Sequence, residues 1–344
     1  MKKYFMMAIA AAAITSCSQD EVMEVAEKQA INFGNTFVEN ATRAADLTYS
    51  TAKKPSTFLV YGNTKGTQTG ATEVPIFKGV EVSSANTSAD HVGNTYFYDA
   101  QYTQYWIEGN AYNFAAVVDG TVATKNIATN GLPTKIDYNA EGNKDLLYAT
   151  QTATGAATRN EEVKFTFDHL LSKAMFTVKN TLNTNTENNK YTYRVSKVCI
   201  TNAYPSGTYV IADKKWDVEG LTNNFTVEFG NVNNATTENA DEAAIEVGKI
   251  AAVDQATSHY QRVIVPFNYT AENQLQITCQ IETLLNGSVI DVEENHSIAT
   301  THKFEAGKAY NFIISLGKPG EPIMFSVEDV NAWDPATNGT DVNL

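Results

Sequence analysis

Ile31-Asn32-Phe33-Gly34-Asn35-Thr36-Phe37-Val38 is the stretch from which the architecture of this chain can be read. In an extended backbone successive side chains point to opposite faces, so Ile31, Phe33 and Phe37 share one face, with Asn35 between them. That period of two predicts a strand with one apolar side. The next residues, Asn40-Ala41-Thr42-Arg43-Ala44-Ala45, are small and polar and suit an exposed loop. Only four arginines occur in the chain; Arg43 and Arg159 fall in loop-like stretches, Arg194 and Arg262 inside apolar runs. A strand built directly before a loop with a lone arginine can be cut away. On spacing alone Arg43 is either a solvated loop charge or the site of a cut between Arg43 and Ala44 that would remove the strand carrying Ile31, Phe33 and Phe37.

Upstream, Lys2 and Lys3 precede an apolar run of 11 residues, Tyr4 to Ile14. The run is too short to span a bilayer and has the layout of a secretory signal. It ends at Ile14-Thr15-Ser16-Cys17, which resembles a bacterial lipobox. Residues 1–16 are thus expected to be a lipoprotein signal peptide, Cys17 to carry the lipid, and 17–43 to be a lipidated propeptide. Ser18-Gln19-Asp20-Glu21 resembles the acidic tag that sends some lipoproteins to the cell surface. No later stretch is long and apolar enough for a transmembrane helix, so the lipid would be the only anchor.

The remaining chain is strand-forming. Tyr 17 and Phe 16, with many Thr, Val and Asn, favour strands and turns over helices. Thr57 to Gly62, Ile76 to Val80, Val163-Phe165-Phe167, Leu275 to Glu282 and Tyr310 to Leu316 all read as strands. Tyr105-Trp106-Ile107, Gly109-Asn110 and Tyr112 to Val117 read as a hairpin, whose aromatics would form core or line a sugar platform. Helical periodicity is not sustained beyond the signal region, so the fold class is all-β. A length of 344 residues favours two domains. Thr150 to Asn160, rich in Thr, Ala and Gly, reads as the linker between domains at 44–160 and 161–320. Beyond the Pro319 and Pro322 break, 321–344 forms a C-terminal strand and tail, with Ile323, Phe325 and Val327 on one face and Val330 and Trp333 further on.

A net charge of -14 disfavours nucleic acid and anionic membrane surfaces as partners. No nucleophile elbow, phosphate loop or zinc spacing is present, and the five histidines are scattered. His169, in Phe167-Asp168-His169-Leu170-Leu171, reads as a structural histidine. The faces around Cys199 and Cys279 point apart, which argues against a bridge. The expectation is a protein that is not an enzyme, with no catalytic residues, metal or cofactor.

In order along the chain, Thr42-Arg43-Ala44, Tyr105-Trp106-Ile107-Glu108-Gly109, Phe165-Thr166-Phe167-Asp168-His169-Leu170-Leu171, Phe304-Glu305-Ala306-Gly307-Lys308-Ala309-Tyr310 and Val330-Asn331-Ala332-Trp333 resemble the fimbrillin family, type V pilins and their accessory subunits. The resemblance implies two transthyretin-like antiparallel β-sandwich domains in tandem. It also implies export as an outer-membrane lipoprotein, removal of the first strand by an Arg-specific protease, and incorporation into a cell-surface fimbria that supports adhesion. Polymerisation would follow by donor-strand exchange, with Ile323, Phe325, Val327, Val330 and Trp333 given to another copy or a related fimbrial subunit. The alternative from another class is a monomeric surface glycan-binding lipoprotein.

Overall fold

The computed structural model describes residues 29–34, 36–38, 49–50, 54–139, 144–155, 161–180, 191–218, 227–228, 245–247, 261–316 and 323–330. The chain supplies first β1 (Phe37–Val38), β2 (Tyr49–Ser50), β3 (Lys54–Pro55), β4 (Thr57–Lys65), β5 (Glu73–Ser83), β6 (His91–Gly93) and β7 (Phe97–Asp99). Next come β8 (Ala111–Val118), β9 (Lys135–Asn139), β10 (Leu147–Thr154) and β11 (Thr166–His169). Then follow β12 (Ser172–Asn180), β13 (Tyr191–Thr201), β14 (Ser206–Val210), β15 (Lys215–Asp217), β16 (Val227–Glu228) and β17 (Ile245–Val247). The series ends with β18 (Gln261–Ile264), β19 (Leu275–Leu285), β20 (Ser288–Thr300), β21 (Ala309–Leu316) and β22 (Met324–Val330). The fold is all-β, as the alternating pattern predicts.

An eight-stranded sheet runs in the order β1-β11-β10-β8-β4-β5-β7-β6, antiparallel except where β1 lies parallel to β11. Its central strands are apolar on both faces. Phe114, Ala116 and Val118 of β8 enter one core with Phe58 and Val60 of β4, while Ala115 and Val117 enter a second core with Tyr61. A strand covered on both sides reads as a continuous apolar run, which β8 does.

The second core is shared with three further sheets: β18-β12-β21-β22, β16-β13-β19-β20 and β15-β14-β9. In β19, Leu275, Ile277, Cys279 and Ile281 are buried while the polar residues between them are half-buried, so period two alone positions it. Cys199 and Cys279 are not joined in a disulfide, and burial pushes the Cys279 thiol up to about 12.

Two expectations change. The Thr-Ala-Gly run beginning at Thr150 is not a linker at its start, because β10 extends through Thr154 and pairs with β8 along its length. Val163, Phe165 and Phe167 follow it into the same first core, so the sheets do not divide at residue 160. A strand interior of Thr and Ala is legal when its neighbours supply the ladder, and composition cannot reveal them. Likewise, Tyr105 to Ile107 is not the first arm of a hairpin with β8, whose neighbours are β4 and β10. Those residues pair instead with the N-terminal stretch.

Candidate functional site

The feature that separates this fold from an ordinary sandwich is the way residues 29–38 are held. The segment lies in a groove between two stretches of the same domain surface. On one side it runs antiparallel to 96–105, with bridges Ala30 to Tyr105 and Phe33 to Tyr96. On the other it runs parallel to 163–167, through Phe33 to Val163 and the β1–β11 pair. The Ile31 amide donates to the Gln104 carbonyl at 2.8 Å, and the Trp106 amide to the Gln29 carbonyl at 3.0 Å. Across the groove the Gly34 amide donates to the Val163 carbonyl at 2.9 Å, and the Val163 amide to the Asn32 carbonyl at 2.8 Å. The first wall therefore bonds residues 29–33 and the second bonds residues 32–34 and 37–38, so both edges are engaged together around Phe33.

Its side chains fill the first core. Ile31 and Phe33 are completely buried. The Phe33 ring is caged by Phe77 at 5.5 Å, Tyr98 at 5.7 Å, Phe165 at 6.1 Å and Phe114 at 6.3 Å, three of them edge-on. These are favoured aromatic geometries. The Tyr98 hydroxyl donates to the Ile31 carbonyl at 2.7 Å, and the Tyr96 hydroxyl to the Pro55 carbonyl at 2.8 Å. Burial raises the pKa of both phenols, so they remain neutral donors at any physiological pH. Removing Ile31, Phe33 and Val38 from water contributes roughly 5–9 kcal/mol, at about 1.5–3 kcal/mol for each large side chain.

The alternation changes phase in the middle. Ile31 and Phe33 are buried, and Thr36 and Val38 are buried on the opposite parity. The sequence pattern put the next inward side chain after Phe33 at Phe37, whereas Thr36 and Val38 are the ones seen buried; Gly34 lies between the two pairs. A Cβ added there would sit 2.6 Å from the Glu162 Cβ and collide with its carboxylate. Only glycine lets Glu162 lie across the strand, where it accepts a hydrogen bond from the Thr95 hydroxyl at 3.2 Å. Beyond Gly34, the Thr36 hydroxyl meets the Tyr96 hydroxyl at 3.0 Å.

At the other end of the chain, β22 pairs antiparallel with β21 and forms the edge of its four-stranded sheet. Ile323, Phe325 and Val327 are half-buried against the second core, and the Phe325 ring stacks on Phe312 at 6.0 Å. Met324, on the opposite face, is 66% exposed. The C-terminal strand is therefore folded back on its own chain, held at one edge only. Cys17, Arg43, Ala44 and Trp333 lie outside the described residues.

The remaining candidates are structural. Trp106, Tyr112 and Phe114 are buried and packed on one another, so they offer no stacking platform for a sugar. His169 is buried at the end of β11, its Nδ1 2.5 Å from the Asp145 carboxylate. His296 pairs with Glu293, and the His302 ring packs on Phe304 and Tyr310. Among the described residues no group of His, Cys, Asp and Glu is arranged to hold a metal ion, and no helix is long and apolar enough to cross a membrane. Sequence reasoning missed the groove walls, 96–106 and 161–167. Their aromatic alternation was visible, but the partner that lies between them was not.

A fimbrillin-like family model matches residues 42–333. No curated protein matches the chain. Among solved structures, a fimbrial protein from Bacteroides vulgatus ATCC 8482 is similar, with 14% identity and a TM-score of 0.60 over 88% of this chain and 99% of that one. A Bacteroides ovatus ATCC 8483 protein described as a cell adhesion protein is similar at 14% identity and a TM-score of 0.48, over 88% and 97% of the two chains. The first of these likenesses carries the fold, and the family match, over most of the chain, carries membership: this chain belongs to the fimbrillin-like family.

Proposed function

We propose that this chain is the precursor of a cell-surface fimbrial subunit, whose first strand is a removable plug in the site that receives the next subunit. Residues 1–16 direct export, Cys17 carries a lipid to the outer membrane, and an Arg-specific protease cuts between Arg43 and Ala44. Residues 17–43 then leave, and the C-terminal strand of another subunit, beginning near residue 321, takes the vacated place by β-augmentation. The fibre so formed supports adhesion.

The observation that carries this reading is the bonding of the first strand to both groove walls, to 96–106 through residues 29–33 and to 163–167 through residues 32–34 and 37–38. A segment bonded to both walls, with Ile31 and Phe33 inside the core, cannot leave without exposing an apolar groove and the wall edges it was bonded to. Such a groove is a strong acceptor for a strand of the same kind. Arg43 follows Val38 by five residues, so one cut there separates the segment from the rest of the chain. The contact is head-to-tail and does not close, which gives a fibre and not a ring. The test is N-terminal sequencing of the mature protein together with unheated detergent gels. A terminus at Ala44 with a heat-dependent ladder is expected. A mature protein still blocked at Cys17 that runs as a single monomer would refute the proposal.

A further inference from the structure

β10 and β11 are consecutive strands that pair only where they lie furthest from the connection between them. Leu147 sits opposite His169 and Tyr148 opposite Asp168, and the Leu170 amide donates to the Leu146 carbonyl at 3.0 Å. Five residues, 156–160, separate Gly155 from Glu161, an ordinary length for a hairpin connection. Yet among the described residues no backbone bond joins 149–154 to 161–165, and a cavity of about 150 Å³ lies between them. Trp106, Gln151, Ala153, Glu162, Val163 and Lys164 line it.

The two sides of this gap are matched for a ladder. Continued in the same register, β10 and β11 would set Thr150 opposite Thr166, Thr152 opposite Lys164 and Thr154 opposite Glu162. The Gly155 amide bonds the Asn110 carbonyl beyond the end of β8, at 2.9 Å, so alternation turns the backbone groups of Thr150 and Thr152 away from β8 and toward the gap. Val163 bonds the first strand with both its amide and its carbonyl, so the backbone groups of Glu162 and Lys164 face the gap from the other side. The side-chain faces agree as well, since Ala153 and Val163 both pack into the first core. The Thr152 carbonyl accepts a hydrogen bond from the Gln151 side-chain amide at 3.3 Å, and not from the Lys164 amide.

We propose that 161–165 is a hinged wall, held off β10 by the first strand, and that it zips onto β10 when residues 17–43 leave. The inference rests on the removal of the first strand read above and adds a conformational step that follows it. The contacts that hold the gap open are made by residues that leave together. Asn32 and Gly34 hold Val163, and the Gln29 carbonyl holds the amide of Trp106, whose side chain lines the cavity. Once they go, two strand edges with unmet backbone groups face each other in register across a short connection, so pairing costs little loop entropy. The Thr95 hydroxyl donates to the Glu162 carboxylate at 3.2 Å and opposes the movement, so Thr95→Ala should favour it. A wall paired to β10 stands further from 96–106. An incoming strand then meets one edge only, until it draws the wall back, and uptake is slowed.

The test compares backbone amide exchange in the precursor with that in monomer isolated after the cut, native mass reporting whether residues 17–43 are gone. In the precursor the Thr152 and Lys164 amides should exchange at least about tenfold faster than the Ala153 amide, and in the mature monomer both should slow by about tenfold or more. A second reading uses the chain with Cys17 and Cys199 replaced by Ser. Thr152→Cys paired with Lys164→Cys, both at exposed positions, should form a disulfide in the mature monomer and at least about tenfold more slowly in the precursor, because a hydrogen-bonded pair stands about 5.5 Å apart, within bridging range. Thr150→Cys paired with Lys164→Cys, two residues out of register, should link in neither. The oxidised Thr152–Lys164 pair should take up a strand more slowly, and reduction should restore the rate. Equal linkage in precursor and mature monomer, or unchanged exchange after residues 17–43 have gone, overturns the closure and leaves strand removal standing. A mature protein that keeps residues 17–43 overturns the removal reading, and the closure with it.

Discussion

Phe33→Ala separates the role of the first strand from that of the folded body. The ring has no exposed surface and four aromatic neighbours within 6.3 Å, so its loss leaves a cavity that the caged walls cannot close. Truncating a buried Phe to Ala costs about 3–5 kcal/mol. For the uncleaved precursor this means a fall in melting temperature on the order of 5–10 °C. Expressed at the groove, the same loss shifts strand release by roughly two to four orders of magnitude, at tenfold per 1.4 kcal/mol. The assay is thermal unfolding of the precursor and of the mature protein, with Asn32→Ala as a half-buried control. Precursor stability should fall for Phe33→Ala alone, and the mature protein, having lost residues 17–43, should melt as wild type. Strand withdrawal, and with it polymer onset after cleavage, should also be faster. A precursor as stable as wild type would refute the placement of Phe33. A loss that persists undiminished after cleavage would show that the strand stays bound, and would refute its role as a plug.

Further outcomes follow from the same geometry. Gly34→Ala should destabilise the precursor by about 1–3 kcal/mol through the collision with Glu162, and Glu162→Gly, which removes the Cβ it meets, should recover most of that loss, as a double-mutant cycle in chemical denaturation would show. Arg43→Ala should leave uncut, lipidated precursor that does not polymerise, whereas Arg159→Ala should mature normally; mass spectrometry reads both. Cys17→Ala should abolish incorporation of labelled fatty acid. Thiol labelling at pH 8 should reach Cys199 well before Cys279, whose buried thiol is pushed up to about 12 and holds little thiolate at that pH. The Glu305 carboxylate is held down to about 2 by hydrogen bonds from Lys303 and Lys308. A depressed folded-state pKa adds stability above the ordinary carboxylate range and loses it as pH falls toward about 2. Glu305→Gln should remove that acid-side dependence, by a small amount because the pair is exposed.

Much of the fold could be read from period two. Ile31 and Phe33, Val163 to Phe167, and Leu275 to Ile281 are buried where their alternation says, because a pleated strand leaves no choice of face. Pairing is another matter, since alternation names a face and never a neighbour. Tyr105 to Ile107 looked like one arm of a hairpin because its turn signal at Gly109-Asn110 is real, with Gly109 at a φ of +79°. The strand that it meets lies seventy-five residues upstream. The parallel pairs β1–β11 and β12–β21 were equally hidden, because long connections carry no turn chemistry. The candidate site was half visible. The apolar strand and the lone arginine stand in the sequence, but the close approach of Glu162 to Gly34 does not, and only the folded chain brings those two together.

The central claim is that one subunit's C-terminal strand replaces another's first strand, and deletion of residues 321–344 tests it most directly. Purified, protease-cleaved protein lacking those residues should retain a folded near-ultraviolet signature and an open groove, but no donor. Alone it should run as a monomer on unheated gels. Mixed with cleaved wild type it should cap growing chains and shorten the ladder in proportion to its share, because it can accept a strand and cannot give one. A deletion variant that polymerises to the same ladder as wild type would contradict the account.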